Sequence, residues 1–371
     1  MATPKSVGLI HDYLLVMRGA ERTFGAIASC WPEAPVYTLL YDPETLNGEF
    51  RGRRITVSGL GRLPAHQQSF RWLLPLFPAA AARLPISDHD LVVSSSSAFA
   101  HGVHTAADAV HVCYCHSPFR YAWHERERAV EEVSRPLRGP LAVTLDAVRR
   151  WDRSASERVT HYIANSELTR RRIADFYGRD ATVIHPPVEV GRFAPSEPED
   201  FFVVVTELVP HKRVDRALEA AERAGVAVKV VGGGPELERL QVRYGSFAEF
   251  LGRISDREKE ALLPRALALL APSVEEFGIA TVEAQAAGRP VVAVDAGGAQ
   301  ETVIPGETGV LVQPGDVGAM AEAIRYTDFR GWSPDRAVEN AARFDVARFR
   351  ERLSAEVSRA YTAGSSLQAR G

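Results

Sequence analysis

The chain has 371 residues, room for roughly two domains or slightly more at about 150 residues each, which excludes a single small binding module. Hydrophobic residues at 46% and charged residues at 25% exclude wholesale disorder, a collagen-like repeat and a coiled-coil rod. A formal net charge of −3 leaves no excess positive field for a phosphate backbone, so no nucleic acid is expected among the partners.

From the N-terminus, the stretch up to Ile10 is too short for a signal peptide, and no later apolar run approaches the roughly 18 residues that span a bilayer. A cytoplasmic chain is the expectation. Short runs rich in Val, Ile and Leu alternate with helical segments, the pattern of a parallel sheet with helices on both faces. Strands are predicted at Val7–Ile10, Val36–Leu39, Ile55–Ser58, Leu91–Ser94, Val110–Tyr114, Tyr162–Ala164 and Thr182–Ile184, one Rossmann-like domain over residues 1–190. His11-Asp12-Tyr13 is placed at the end of the first strand, and Met17-Arg18-Gly19-Ala20-Glu21-Arg22 opens the next helix. That loop is not the G-x-G-x-x-G dinucleotide fingerprint, which argues against a nicotinamide enzyme.

Residues Gln67–Pro85, with Phe70, Trp72, Leu73, Leu74, Leu76 and Phe77 beside Arg62, Arg71 and Arg83, either dock on a bilayer surface or pack as a helix on the sheet. Arg149-Arg150-Trp151 and Arg170-Arg171-Arg172 either attract anionic lipid or solvate helix faces. Asp88-His89-Asp90 has the spacing of a D-x-D metal motif but precedes a strand instead of ending one, so it reads as a turn. His111, Cys113 and Cys115 alternate on one strand face with His116 adjacent, yet no second pair completes a ligand set, and no metal is expected. Cys30, Cys113 and Cys115 are an odd, sparse set and read as free thiols of a reducing compartment.

His185-Pro186-Pro187-Val188 and the polar Ala194–Asp200 stretch cannot continue a helix or a central strand and are read as the linker. A second Rossmann-like series over residues 191–345 follows at Phe201–Thr206, Val226–Val231, Glu249–Leu251, Ala268–Ala271, Val291–Val294 and Val310–Val312. The last segment, 346–371, carries Phe349, Leu353, Val357 and Tyr361 at four-residue spacing, a helix expected to cross back to the first domain. Two such α/β domains facing across a deep cleft would hold a nucleotide-containing ligand at the C-terminal edges of their sheets. Pro186-Pro187, near the expected hinge, fits closure of that cleft over the ligand.

The strongest chemical signal is Pro272–Pro290, PSVEEFGIATVEAQAAGRP, which follows a strand and opens a helix. Gly278 permits close backbone approach, and Ile279, Ala280 and Thr281 are expected to present unpaired N–H groups to an anion. Glu275 before the loop and Glu283 in the helix flank a diphosphate-sized site, where carboxylates accept hydrogen bonds from sugar hydroxyls. Phe277 lies inside the same loop.

Here the chain resembles the retaining glycosyltransferases of the GT-B fold, glycosyltransferase family 4, whose E-x(7)-E motif matches Glu275 and Glu283. The resemblance implies that Glu275 contacts the transferred sugar, that Glu283 contacts the nucleotide ribose, and that Phe277-Gly278-Ile279-Ala280-Thr281 lines the donor site. In Thr206–Asp215, TELVPHKRVD, it places Lys212 and Arg213 on the donor diphosphate, while Glu207 stands where the family often has an arginine. It implies base contacts from the backbone around Gly252 and Arg253, and close approach to donor or acceptor at Gly19. His116, in CHSPFRYAW, matches the family's histidine beside the transferred sugar. The nearest branch acts in bacterial surface polysaccharide assembly, which makes GDP-mannose the expected donor and a lipid-linked oligosaccharide at the inner membrane face the expected acceptor, with no cofactor. A UDP- or dTDP-sugar transferase with a soluble acceptor, a nucleotide-sugar epimerase of the same fold and a non-catalytic nucleotide-sugar sensor remain as alternatives.

Overall fold

Val- and Ile-rich runs form strands because branched side chains pack well on a pleated surface, and strands buried on both faces read as continuous apolar runs. The computed structural model, which describes residues 4–46, 48, 50–62 and 70–368, divides into two compact units. The first comprises residues 1–185 and 350–371, the second residues 186–349.

In the first unit, strands β1 (Val7–Leu14), β2 (Val36–Tyr41), β3 (Ile55–Val57), β4 (Leu91–Ser96), β5 (Val110–Cys115), β6 (His161–Ala164) and β7 (Ala181–Val183) form one sheet in the order β3-β2-β1-β4-β5-β6-β7. Every pairing is parallel. The order reverses direction between β1 and β4, the position at which open α/β sheets leave a crevice for ligands. All predicted strands of this half are present, with one difference of consequence. His11, Asp12 and Tyr13 lie inside β1 instead of at its end, because Tyr13 and Leu14 continue the ladder against Leu40 and Tyr41.

Asp12 is buried, and its carboxylate accepts the backbone N–H groups of Ser97 and Ala98 on one oxygen (2.5 and 3.0 Å) and of Phe99 and Ala100 on the other (2.7 and 2.6 Å). The loop after β4 is thereby wrapped around a side chain of β1, satisfying the amides of the partly buried Ser97 and of Ala98, Phe99 and Ala100, which would otherwise be buried without partners.

The described part of the 67–85 segment packs on the sheet. Phe77 and Ala81, in the short helix Phe77–Ala82, and Leu84 are buried in the same core as Ile10, Leu39, Val92 and Phe99, while Leu76 is exposed. Residues 67–69 lie outside the described residues, and among the described residues no helix is long and apolar enough to cross a membrane.

The C-terminal helix Val346–Gln368 does return to the first unit, as its apolar stripe predicts. Leu353, Val357 and Tyr361 are buried. Arg352 donates to the Val183 carbonyl (2.9 Å), Thr182 donates to Glu356 (2.7 Å), and the Tyr361 hydroxyl donates to Asp90 (2.8 Å). Asp90, held also by the amides of Lys5 and Ser6, has its carboxyl drawn down to about 2 by these hydrogen bonds, against the opposing effect of burial. The D-x-D residue thus clamps the chain terminus.

In the second unit, strands β8 (Phe202–Val205), β9 (Val228–Val231), β10 (Ala248–Gly252), β11 (Leu269–Ala271), β12 (Val291–Val294) and β13 (Gly309–Val312) form a parallel sheet in the order β10-β9-β8-β11-β12-β13. Its direction switches between β8 and β11, so the loops leaving those two strands flank the crevice of this sheet.

Candidate active site

The loops at the switch point of the second unit carry the two motifs singled out above. After β8 the chain runs through a 3-10 turn, Pro210–Lys212, into the helix Val214–Ala224. Arg213, at the junction, takes φ +51°, the one non-glycine positive φ among the described residues. After β11 the loop from Pro272 to Gly278 leads into the helix Ile279–Ala286. The two loops meet through an ion pair of Lys212 Nζ and Glu275 Oε2, both side chains partly exposed, while Ser273 donates to the other Glu275 oxygen (2.8 Å). A cation and a carboxylate from segments 63 residues apart are therefore brought to one point.

Gly278 has φ +87°, a left-handed conformation that a side chain would strain, and it turns the chain into the helix. The amides of Ile279 and Ala280 open that helix and have no carbonyl one turn back to donate to. The expectation for Thr281 needs correction: its N–H donates to the Gly278 carbonyl (3.0 Å), because the left-handed glycine tightens the first turn. Phe277 also departs from expectation as a side chain. Its ring is buried with Val188, Val282, Ala286, Ala341 and Phe344, lying 5.3 Å from the Phe344 ring, so it anchors the loop in the core.

Glu283 projects from the same helix and is paired with Lys259 (2.5 Å), which comes from the helix Asp256–Leu262. Each glutamate of the motif therefore holds a lysine. Spacing within the motif gives no hint of Lys259, whose partner lies 24 residues away. The Ile279–Ala286 helix is fixed from below by a buried polar network: Gln285 donates to the carbonyls of Thr281 (3.2 Å) and Thr302 (2.8 Å), and Asn340 donates to Gln285 (2.6 Å) and Thr302 (2.8 Å).

Around the β9 end, Gly232 has φ +139°, and a Cβ there would lie 1.7 Å from the Thr206 carbonyl, so only glycine lets the β8 and β9 loops touch. The Gly232 amide donates to the Gly252 carbonyl (2.8 Å), Gly252 ends β10 with φ +67°, and Arg253 extends over Gly233. The Arg213 guanidinium lies 3.5 Å from Asp215.

In the first unit the switch point between β1 and β4 holds a histidine cluster. His116 follows β5; its backbone is pinned by its N–H to the Ser96 carbonyl (2.9 Å) and by Thr169 donating to its own carbonyl (3.1 Å). Its Nε2 lies 2.8 Å from the Ser95 hydroxyl. His11, the register partner of Ser95, approaches the same hydroxyl at 3.0 Å and stacks on Phe24 (4.9 Å). Gly19 is the first residue of the helix Gly19–Ser29, whose Glu21 closes a capping box on the Arg18 amide (3.0 Å) and reaches His11 Nε2 at 3.8 Å.

His111, Cys113 and Cys115 are buried in β5, where His111 meets the Ser94 hydroxyl at 2.8 Å and burial pushes the Cys113 thiol up to about 12. Such thiols are unreactive core groups. Among the described residues no cluster of three or more His, Cys, Asp or Glu side chains is arranged to hold a metal ion.

Comparison with known proteins gives consistent matches. A family model described as Glycosyltransferase Family 4 matches residues 17–192, and one described as Glycosyl transferases group 1 matches residues 190–343. A GDP-mannose-dependent alpha-(1-6)-phosphatidylinositol monomannoside mannosyltransferase of Mycolicibacterium smegmatis is 34% identical over 218 residues, covering 50% of this chain and 56% of the relative. The GDP-mannose-dependent monoacylated alpha-(1-6)-phosphatidylinositol monomannoside mannosyltransferase of Corynebacterium glutamicum is 32% identical over 192 residues, covering 43% and 50%. The chain thus spans about half the length of the curated relatives it matches. Among solved structures, sucrose-phosphate synthase from Thermosynechococcus elongatus superposes with a TM-score of 0.74 at 18% identity, over 97% of this chain and 100% of that one. The likeness is one of fold, the GT-B class built from two Rossmann-like domains.

Proposed function

The chain belongs to the glycosyltransferases of family 4, and on that premise we propose that it moves a hexose, mannose from GDP-mannose, to a hydroxyl of a lipid-linked oligosaccharide or related glycan, with retention at the anomeric carbon. The observation that carries this reading is the Lys212–Glu275 pair at the switch point, beside the opening of the Ile279–Ala286 helix. A nucleoside diphosphate sugar needs a cation and amide donors for its phosphates and a carboxylate for its sugar hydroxyls; this crevice supplies all three.

In the proposed reaction the bond from the anomeric carbon to the β-phosphate oxygen breaks, the acceptor oxygen bonds to that carbon on the same face, and the acceptor proton passes to the leaving phosphate. Negative charge grows on the diphosphate as the bond lengthens. Lys212, Arg213 and the amides of Ile279 and Ala280 would stabilise it, each well-placed donor contributing about 2.7–4 kcal/mol to the transition state. Glu275 and His116 orient the sugar, Glu283 binds the ribose, and the backbone at Gly252 and Arg253 meets the base. No covalent nucleophile and no metal are assigned. The choice of GDP-mannose is supported by the two mannosyltransferase relatives, whose names specify that donor and a phosphatidylinositol-based acceptor. An acceptor on a lipid would bring the chain to the inner membrane face as a peripheral protein.

Calorimetric titration of the purified protein, without added metal, with GDP, UDP, dTDP and NAD tests the donor. GDP is expected to bind best. Preference for UDP or dTDP would overturn the donor while keeping the site, and a folded protein that binds none of the four would overturn the site.

A further inference from the structure

The His116 ring is held by a chain of polar groups that runs back to the helix at Gly19. Ser95 Oγ lies 2.8 Å from His116 Nε2 and 3.0 Å from His11 Nδ1. His11 Nδ1 is also 3.1 Å from the Ser95 carbonyl oxygen. A carbonyl only accepts, so the proton must sit on His11 Nδ1. That N–H points at both Ser95 oxygens and fills one of the hydroxyl's two acceptor sites, so the serine's own hydrogen is available to His116 Nε2, 2.8 Å away. With that nitrogen accepting, a neutral His116 carries its proton on Nδ1.

The rest of the cluster fixes the His11 ring in place. Its ring is buried, stacked on Phe24 with the planes 16° apart, and set edge-on to His116 at 6.2 Å. Glu21 Oε1 stands 3.8 Å from its other nitrogen, and that carboxylate is itself fixed by the Arg18 amide. β1, β4 and the end of β5 each contribute one member, and all three are buried.

We infer that Ser95 and His11 are positioning residues that hold His116 as the Nδ1–H tautomer, so that its remaining ring nitrogen is a hydrogen-bond donor and not a base. The inference rests on the proposed function for its catalytic meaning: a sugar oxygen meeting His116 through Nδ1 is met by an N–H. The tautomer is inferred from the hydrogen-bond geometry and does not depend on that function.

Long-range ¹H–¹⁵N correlation spectra of histidine-labelled protein, with His116 assigned by comparison with His116→Asn, read the tautomer directly. The wild-type protein is expected to show His116 protonated on Nδ1; a His116 protonated on Nε2 overturns the proposal without recourse to any further variant. In Ser95→Ala the ring should relax to a mixture of tautomers, and transfer should fall ~10–100-fold in kcat, the usual effect of losing a group that orients a reacting residue, with KM for the donor little changed. Ser95→Thr, which keeps the hydroxyl, should restore both the tautomer and most of the rate. A Ser95→Ala protein with an unaltered His116 tautomer would contradict the proposal. Because the spectra need no turnover, a protein whose tautomer responds as stated but which transfers no sugar would instead count against the function proposed above.

Discussion

Glu275→Ala is expected to lower glycosyl transfer by at least ~10³-fold, equivalent to about 4 kcal/mol of transition-state stabilisation, while GDP binds no more weakly than to the wild-type protein. The two halves of this expectation have different physical origins. The loss of rate follows from removing the carboxylate that accepts from the sugar hydroxyls. The undiminished nucleotide affinity follows from the ion pair, because Lys212 has to leave Glu275 to meet a phosphate, and in the variant that competitor is gone. Initial rates and GDP titrations on the same preparation check both. Unaltered transfer would remove Glu275 from the catalytic residues. Loss of nucleotide binding together with transfer would make it a structural support for Lys212.

Asp12→Ala is expected to be among the most destabilising single substitutions in the first unit. The four amides of Ser97, Ala98, Phe99 and Ala100 all donate to this one carboxylate, and a buried donor left without a partner costs about 1–3 kcal/mol. Counting only the three buried amides, of Ala98, Phe99 and Ala100, the sum at the low end is about 3 kcal/mol, a large fraction of the stability of a typical domain. Four of the five tryptophans, Trp31, Trp72, Trp123 and Trp151, belong to the first unit, so fluorescence during urea unfolding reports chiefly on it. The transition of the variant should move to markedly lower urea. A midpoint within error of the wild type would mean that the loop after β4 does not depend on Asp12.

The sheets were legible in the sequence because their signal is local. Most strands are short apolar runs, many rich in Val or Ile, bounded by turn residues; β4 and β5 are buried along their whole length although serines, a histidine and cysteines interrupt their apolar runs. The stripe of Leu353, Val357 and Tyr361 announced a helix with a buried face for the same reason. The motif glutamates were legible through the resemblance of the whole Pro272–Pro290 segment to family 4, since two glutamates at this spacing carry little signal by themselves. What the sequence does not carry is pairing across long separations. Asp12 and Ala100 are 88 residues apart, His11 and Ser95 are 84 apart, and nothing local to either member marks the other. Lys259 and Asn340 carry no local mark for this reason, each being an ordinary polar residue until the fold sets it against Glu283 or Gln285. The two departures within the motif have local causes. A left-handed glycine tightens the turn enough to occupy the Thr281 amide, and an aromatic ring in a loop beside a core is drawn into it, as Phe277 is.

The most direct measurement follows the anomeric proton of GDP-mannose by nuclear magnetic resonance, with the protein present and with or without a polyprenyl-diphosphate-linked oligosaccharide. The donor signal is predicted to persist without acceptor and, once acceptor is added, to be replaced by the signal of an α-mannosyl product, the configuration of the donor retained. A β-linked product, conversion of the donor sugar to its epimer without acceptor, or tight binding of a donor that is never consumed would each contradict a retaining transferase.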